Sequence, residues 1–191
     1  MEALIKMKSG IRQSLAGAAL TTLAAALPAA AQDESTNRVS VETAWSVFVE
    51  DDPKECWGVS APTETVNTRN GEVVSVTRGD ILLFVTFRPG ESGEVTFTGG
   101  YPFADDSTVS VDIGGREFEM FTENVRDSEG DMIGWAWPAS SSGDSELISA
   151  MRAGADATMT ARSSRGTTTA DTFSLYGFSA AMEDAEQRCS E

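Results

Sequence analysis

Histidine is absent from the 191 residues, lysine occurs three times, and 14 basic residues face 30 acidic ones, a formal net charge of −16. Each shortage excludes something. Without histidine the chain lacks the usual general base, the usual partner of a nucleophilic serine and the imidazole metal ligand. The shortage of bases argues against binding a nucleic-acid backbone, which needs Lys and Arg to displace counterions. Only two cysteines are present, Cys56 and Cys189, and they do not form the C-x-x-C spacing of a redox-active pair. What is present supports a folded chain: 40% hydrophobic residues, with nine Phe and four Trp to fill a core. A length of 191 residues fits one domain.

The N-terminus has the layout of a secretory signal. Lys6, Lys8 and Arg12 form a positive region, residues 15–27 are rich in Ala and Leu, and Ala29-Ala30-Ala31 offers a cleavage site before Gln32. The apolar run falls short of the ~20 residues a membrane span needs, and Thr21, Thr22 and Pro28 interrupt it. The expectation is a signal peptide over 1–31, cleaved after Ala31, and a periplasmic or secreted protein with no transmembrane span after cleavage. Cleavage would leave 11 bases against 29 acids, net −18, with Lys54 the sole lysine. In an oxidising compartment the two cysteines are expected to form one disulfide, Cys56–Cys189.

Residues 32–38 are polar and read as a loose leader, and 39–191 as one β-rich domain. Val39, Val41, Trp45, Val47 and Val49 alternate as in one half-buried strand, and a second strand follows from Cys56 to Ala61. Asn70-Gly71 is a hairpin-turn signal between 65–69 and 72–77. The unbroken apolar run Ile81–Phe87 predicts a central strand buried on both faces. Further strands are expected at 94–98, 108–113, 117–122, 133–137, 157–163 and 168–176. A helix carrying Leu147, Ile148 and Met151 should end with Gly154 at the C′ position. Phe178, Ala181, Met182, Ala185 and Cys189 form one stripe of a C-terminal helix, which turns Cys189 toward the core. The fold class expected is mainly β: an antiparallel β-sandwich or barrel-like domain with a short helix and a C-terminal helix.

Candidate chemistry is sparse. Acidic pairs such as Asp51-Asp52, Asp105-Asp106, Glu117/Glu119 and Glu183/Asp184 could supply a glycosidase-like acid and base, but with 29 acids chance proximity is expected. Asp127-Ser128-Glu129-Gly130-Asp131 spaces its carboxylates as a calcium loop does, yet lacks the twelve-residue frame and reads better as a polar turn. Ser163, Ser164 and Ser174 have no histidine to activate them, and Lys54 sits in a turn unsuited to a depressed amine pKa. Arg162 and Arg165 flank a hairpin tip and could hold a carboxylate or phosphate. Trp45, Trp57, Trp135, Trp137 and Tyr101 could line a platform for sugar or peptide, and Trp135 and Trp137 share a strand face as a stacking ledge would require, although the favoured account has the rings filling the sandwich beside the disulfide. No catalytic residue, metal ligand or cofactor is expected.

The segments Leu147–Ala155 and Phe173–Ala181 together resemble the C-terminal signature of the invasion-associated locus B family: a short helix ending in an Arg-x-Gly step, two strands, and an S-L-x-G-F-x-A-A motif opening the last helix. Trp45-Ser46-Val47 is similar to the family's opening strand, and residues 111–115 to its central hairpin. The resemblance marks Trp45, Gly154, Ser174, Leu175, Gly177, Phe178, Ala180 and Ala181 as structural motif residues of a divergent branch. It implies a non-enzymatic envelope protein of a Gram-negative bacterium, a binding or accessory module whose partner is an envelope or host-surface protein or glycan. The alternatives are a carboxylate-dependent glycan hydrolase and a purely structural or stress-related envelope protein.

Overall fold

The structure is a computed structural model that describes residues 37–190. The expected signal peptide and most of the expected leader lie outside the described residues. Twelve strands follow the chain: β1 (Arg38–Glu42), β2 (Trp45–Asp51), β3 (Lys54–Ser60), β4 (Glu64–Arg69), β5 (Glu72–Val73), β6 (Leu82–Phe87), β7 (Glu94–Thr98), β8 (Thr108–Ile113), β9 (Arg116–Arg126), β10 (Met132–Trp137), β11 (Asp156–Arg162) and β12 (Thr168–Ser174). Helix α1 (Ser141–Ala153) precedes β11, and helix α2 (Phe178–Ser190) ends the described chain. The strands form one antiparallel sheet in the order β1-β2-β3-β6-β7-β10-β9-β8-β11-β12-β4-β5. This is the expected mainly-β class, sandwich-like or barrel-like, with two helices.

The sheet bends back on itself. Phe97 on β7 and Phe173 on β12 meet edge to face with ring centroids 6.1 Å apart, although five places separate their strands in the sheet. Period-two alternation puts Val109, Val111 and Ile113 inward on β8, and Val95 and Phe97 inward on β7. Helix α2 lays its stripe across the inner faces of β2 and β3: Phe178, Ala181, Met182, Ala185 and Cys189 are all buried. A Cβ at Gly58 would land on the end of the Met182 side chain, so glycine lets that side chain lie directly on β3 where the helix crosses. Cys189, at the end of that stripe, is bonded to Cys56 of β3.

Helix α1 starts at Ser140, whose Oγ accepts from the Gly143 N–H at 3.3 Å. It buries Leu147, Ala150 and Met151. Its Asp144 Oδ1 accepts the backbone N–H of Val95 at 2.8 Å. Strand β10 reaches β7 only at Ala136 and Phe97, so the helix satisfies a strand donor that no neighbouring strand takes.

Four local expectations differ from what is found, the first being the strand expected at 72–77, which ends at Val73 as β5. Val39 to Val49 is not one strand: Thr43 has φ 56°, and the chain turns there to make a β1–β2 hairpin. Strand β6 is not buried on both faces; Leu83, Val85 and Phe87 are buried while Leu82, Phe84 and Thr86 are half-exposed. Its continuous apolar run reflects an aromatic outer surface rather than a second core. Gly154 is in extended backbone, φ −90°, not the left-handed C′ conformation. The glycine is required by packing, since a Cβ there would strike Ile113 and crowd Leu175.

The disulfide spans 133 residues, a loop whose closure is worth on the order of 4–5 kcal/mol in the chain-entropy model, as an upper figure. Replacing Cys56 and Cys189 together by Ala is expected to lower urea-unfolding stability by an amount approaching that figure. Reduction of the native chain should reproduce the loss, and an unchanged midpoint would remove the disulfide from the account of stability.

Candidate functional site

The most built-up polar cluster surrounds Arg78, in the stretch between β5 and β6. Its guanidinium meets the Asp171 carboxylate in two parallel contacts, Nη1 to Oδ1 at 2.7 Å and Nη2 to Oδ2 at 2.6 Å. Its Nε donates to the Gly99 carbonyl at 2.8 Å, and Nη1 also reaches Asn67 Oδ1 at 3.3 Å. The Tyr101 ring lies 4.8 Å below the guanidinium carbon, a cation–π contact. Asp171 is fully buried and Arg78 nearly so. Burial pushes the Asp171 carboxyl above its ordinary range, against the opposing pull of Arg78. Burial likewise raises the Tyr101 phenol, whose oxygen lies 2.6 Å from Thr169 Oγ1.

Arg78 reaches this position because Gly79 and Gly100 bring two loops into contact. The Gly79 N–H donates to the Gly100 carbonyl at 2.9 Å, and Gly100 has φ 70° with no room for a Cβ against Gly79. Beside the cluster opens a cavity of about 420 Å³. Its wall holds Arg69 from β4, Arg78, Tyr101, Met132, and the hairpin turn that carries Ser163, Ser164 and Arg165. No carboxylate lines it. Arg69 Nη2 donates to Thr167 Oγ1 at 2.7 Å, and among the described residues neither Arg69 nor Arg165 has an acid within ion-pair distance.

A second depression shares Gly100 and Met132 with this cavity but has the opposite charge, being lined by Asp80, Asp127 and Asp131 beside Leu82, Ile133 and Trp135. The Asp127 loop is closed by the Asp127 side chain, whose Oδ1 accepts the N–H groups of Glu129 at 2.9 Å and Asp131 at 2.8 Å. Among the described residues no three carboxylate, Cys or His groups are grouped to hold a metal. A third, shallow groove on the outer sheet face lies between Trp57, Phe84 and Trp135, with Arg88 and Glu55 at its rim. Arg88 Nε donates to Glu55 Oε1 at 2.7 Å and Nη1 to Glu94 Oε2 at 2.8 Å.

The residues singled out in the sequence separate accordingly. Arg165 lines the arginine cavity, whereas Arg162 points into solvent outside it. Trp135 and Trp137 do lie on one face, but it is the outer one, half-exposed, so they do not fill the core as expected; the inward positions of β10 are Gly134 and Ala136. Of the five rings considered as a ledge, Trp45 is fully buried; its Nε1 donates to the Ser174 carbonyl at 3.0 Å and its ring meets Phe178 edge-on at 4.9 Å. The Ala44 N–H donates to the Tyr176 carbonyl. Gly177 (φ 89°) lies against Glu42, leaving no space for a side chain. The S-L-x-G-F-x-A-A motif is thus the seat of the β1–β2 turn. Leu175 and Ala181 are buried within it, while Ala180 faces solvent. The acidic pairs sit apart, at the β2–β3 turn, in the turn at Asp105-Asp106, on strand β9 and on helix α2, and the acids that burial raises, Asp144 and Asp171, each serve a structural partner. Arg69 and Arg78 were not legible as site residues, because 98 and 93 residues separate them from Thr167 and Asp171.

These features define a helix-closed antiparallel β domain with a cationic cavity at one end. The family model described as Invasion associated locus B (IalB) protein matches residues 138–186, a stretch that contains both segments carrying the C-terminal resemblance. Among solved structures, the crystal structure of invasion associated protein b from Bartonella henselae superposes with a TM-score of 0.52 at 15% identity, covering 80% of this chain and 98% of that one. At that identity the likeness is one of fold. No curated protein matches the chain. No helix among the described residues is long and apolar enough to cross a membrane.

Asp171→Asn is expected to destabilise the chain by about 3–5 kcal/mol, because it leaves a buried guanidinium without its counter-charge. The double change Arg78→Met with Asp171→Leu should recover most of that loss in urea unfolding, and a double variant as unstable as the single one would contradict the account. Asp144 yields a pH test. Burial raises its pKa, offset in part by the Val95 N–H and reinforced by the charge of Glu94. A carboxyl raised in the folded chain favours folding when protonated, and that contribution is lost as pH climbs from the ordinary carboxylate value through the raised one. Asp144→Asn keeps the acceptor without the charge. Its melting temperature relative to the native chain should rise with pH across the carboxylate range; a difference that stays flat or falls would reverse the assignment.

Proposed function

We propose that the chain is an exported envelope protein that works by binding rather than by catalysis, with residues 1–31 removed as a signal peptide and 39–191 forming its functional domain. Supporting this are the leader composition, the long-range disulfide, and the likeness in sequence block and fold to invasion-associated proteins. The observation that carries the binding reading is the cavity beside Arg78. In a chain where acids outnumber bases by more than two to one, its wall gathers three arginines and no carboxylate. Arg78 is paired with Asp171, but charge in an acidic protein pairs off by default, so Arg69 and Arg165, kept clear of acids around a concave site, indicate a place reserved for something else. The partner is an envelope or host-surface component.

Expressed from its own N-terminus in a Gram-negative host, the protein should appear in the osmotic-shock or culture fluid with Gln32 as its first residue and no free thiol. Recovery only from the cytosol, with the leader intact, would overturn the reading.

A further inference from the structure

We propose that the arginine cavity is an anion site that takes the single carboxylate or phosphate head of a small ligand, with Arg69 and Arg165 supplying the charge and the hairpin hydroxyls the remaining donors. This rests on the binding role above and names the chemistry of the same cavity. The three arginines are not equivalent. Every guanidinium nitrogen of Arg78 is occupied by Asp171, Asn67 or Gly99, so Arg78 is a neutralised wall. Arg69 spends one nitrogen on Thr167, and Arg165 has no side-chain partner among the described residues. Both therefore keep forked donors that fit a planar carboxylate or a phosphate face in pairs. Ser164 and Arg165 come from one turn, closed by the Gly166 N–H donating to the Ser163 carbonyl at 2.8 Å and by Ser163 Oγ accepting from the Thr167 N–H at 3.1 Å. The donors are thus carried on fixed backbone.

The neighbouring depression determines what kind of body the head group can carry. A ligand that leaves the arginines over the shared Gly100–Met132 wall meets Asp80, Asp127 and Asp131 and apolar surface from Ile133 and Trp135. Like charges there repel a second anion, so an extended polyanion is excluded and a neutral or cationic body is accepted. The ligand class is a small molecule with one anionic head, such as a peptide carboxyl terminus or a phosphomonoester.

Calorimetric titration of the purified chain separates these outcomes, using tetra-alanine, its C-terminal amide, inorganic phosphate and a long-chain polyphosphate as probes. Tetra-alanine or phosphate should bind, and Arg165→Gln and Arg69→Gln should each weaken that binding at least tenfold with unchanged melting temperature. Arg162→Gln, outside the cavity, should leave it unaltered. Binding of tetra-alanine but not of its amide identifies the carboxylate source; binding of phosphate alone identifies the phosphate source. If Arg69→Gln disturbs the fold by releasing Thr167, Arg165→Gln alone decides. The proposal is overturned if neither tetra-alanine nor phosphate binds, if Arg165→Gln binds as the native chain does, or if polyphosphate binds more tightly than phosphate. Failure here with Gln32 as the first residue of the exported protein would leave export standing and remove only the anion site.

Discussion

The Arg78–Asp171 pair is the constraint around which the closed end of the domain is arranged. A carboxylate on an inward strand position is costly unless paired and hydrogen-bonded. Here the partner arrives from the β5–β6 stretch, 93 residues away in sequence. Strand β5 is only two residues long, and after a last backbone contact from the Val74 N–H to the Asn67 carbonyl at 2.9 Å the chain carries Arg78 over Tyr101 to the Gly99 carbonyl. The glycine contact between residues 79 and 100 holds that path open. With Arg78 committed to Asp171, the guanidinium groups left facing the cavity are those of Arg69 and Arg165, so the internal pair determines which charges remain outward.

The opposite end depends on packing rather than charge. Trp45, Ser174, Gly177 and Phe178 lock the β1–β2 turn onto the start of α2, and Met182 above Gly58 continues the contact down the helix. Within residues 174–181 the positions that touch the first hairpin or the core account for Leu175, Gly177, Phe178 and Ala181. Leu175 and Phe178 fill space, and Gly177 makes room for the Glu42 backbone.

Period and stripe made much of the fold legible in the sequence. The α2 stripe, the alternation of β8, the Asn70-Gly71 turn and the Cys56–Cys189 bridge are all local patterns or stem from having only two cysteines. Elements that depended on distant neighbours were not legible. The run 81–87 looked doubly buried because its outward Leu82 and Phe84 are apolar, and only the ring of Trp135, 6.0 Å from Phe84, explains them. Val39 to Val49 looked like one strand because Thr43 carries no turn signal of its own. One clue to the site was present: Thr169, Asp171 and Phe173 share the inward face of β12, and an acid in that register calls for a cation. Which arginine answers it, and that Arg69 and Arg165 would face one cavity, depends on the sheet order.

The bridge between β3 and the end of α2 also changes what cutting the chain can accomplish. Cys56 and Cys189 enclose every loop around the cavity, the Asp127 turn and the Ser163–Thr167 hairpin included. A protease that nicks any one of these leaves two pieces still joined through sulfur, with the sheet partners on both sides of the cut held near their places. Trimming from either end past a bridge cysteine, most readily past Cys189, or chemical reduction, would let the fragments part.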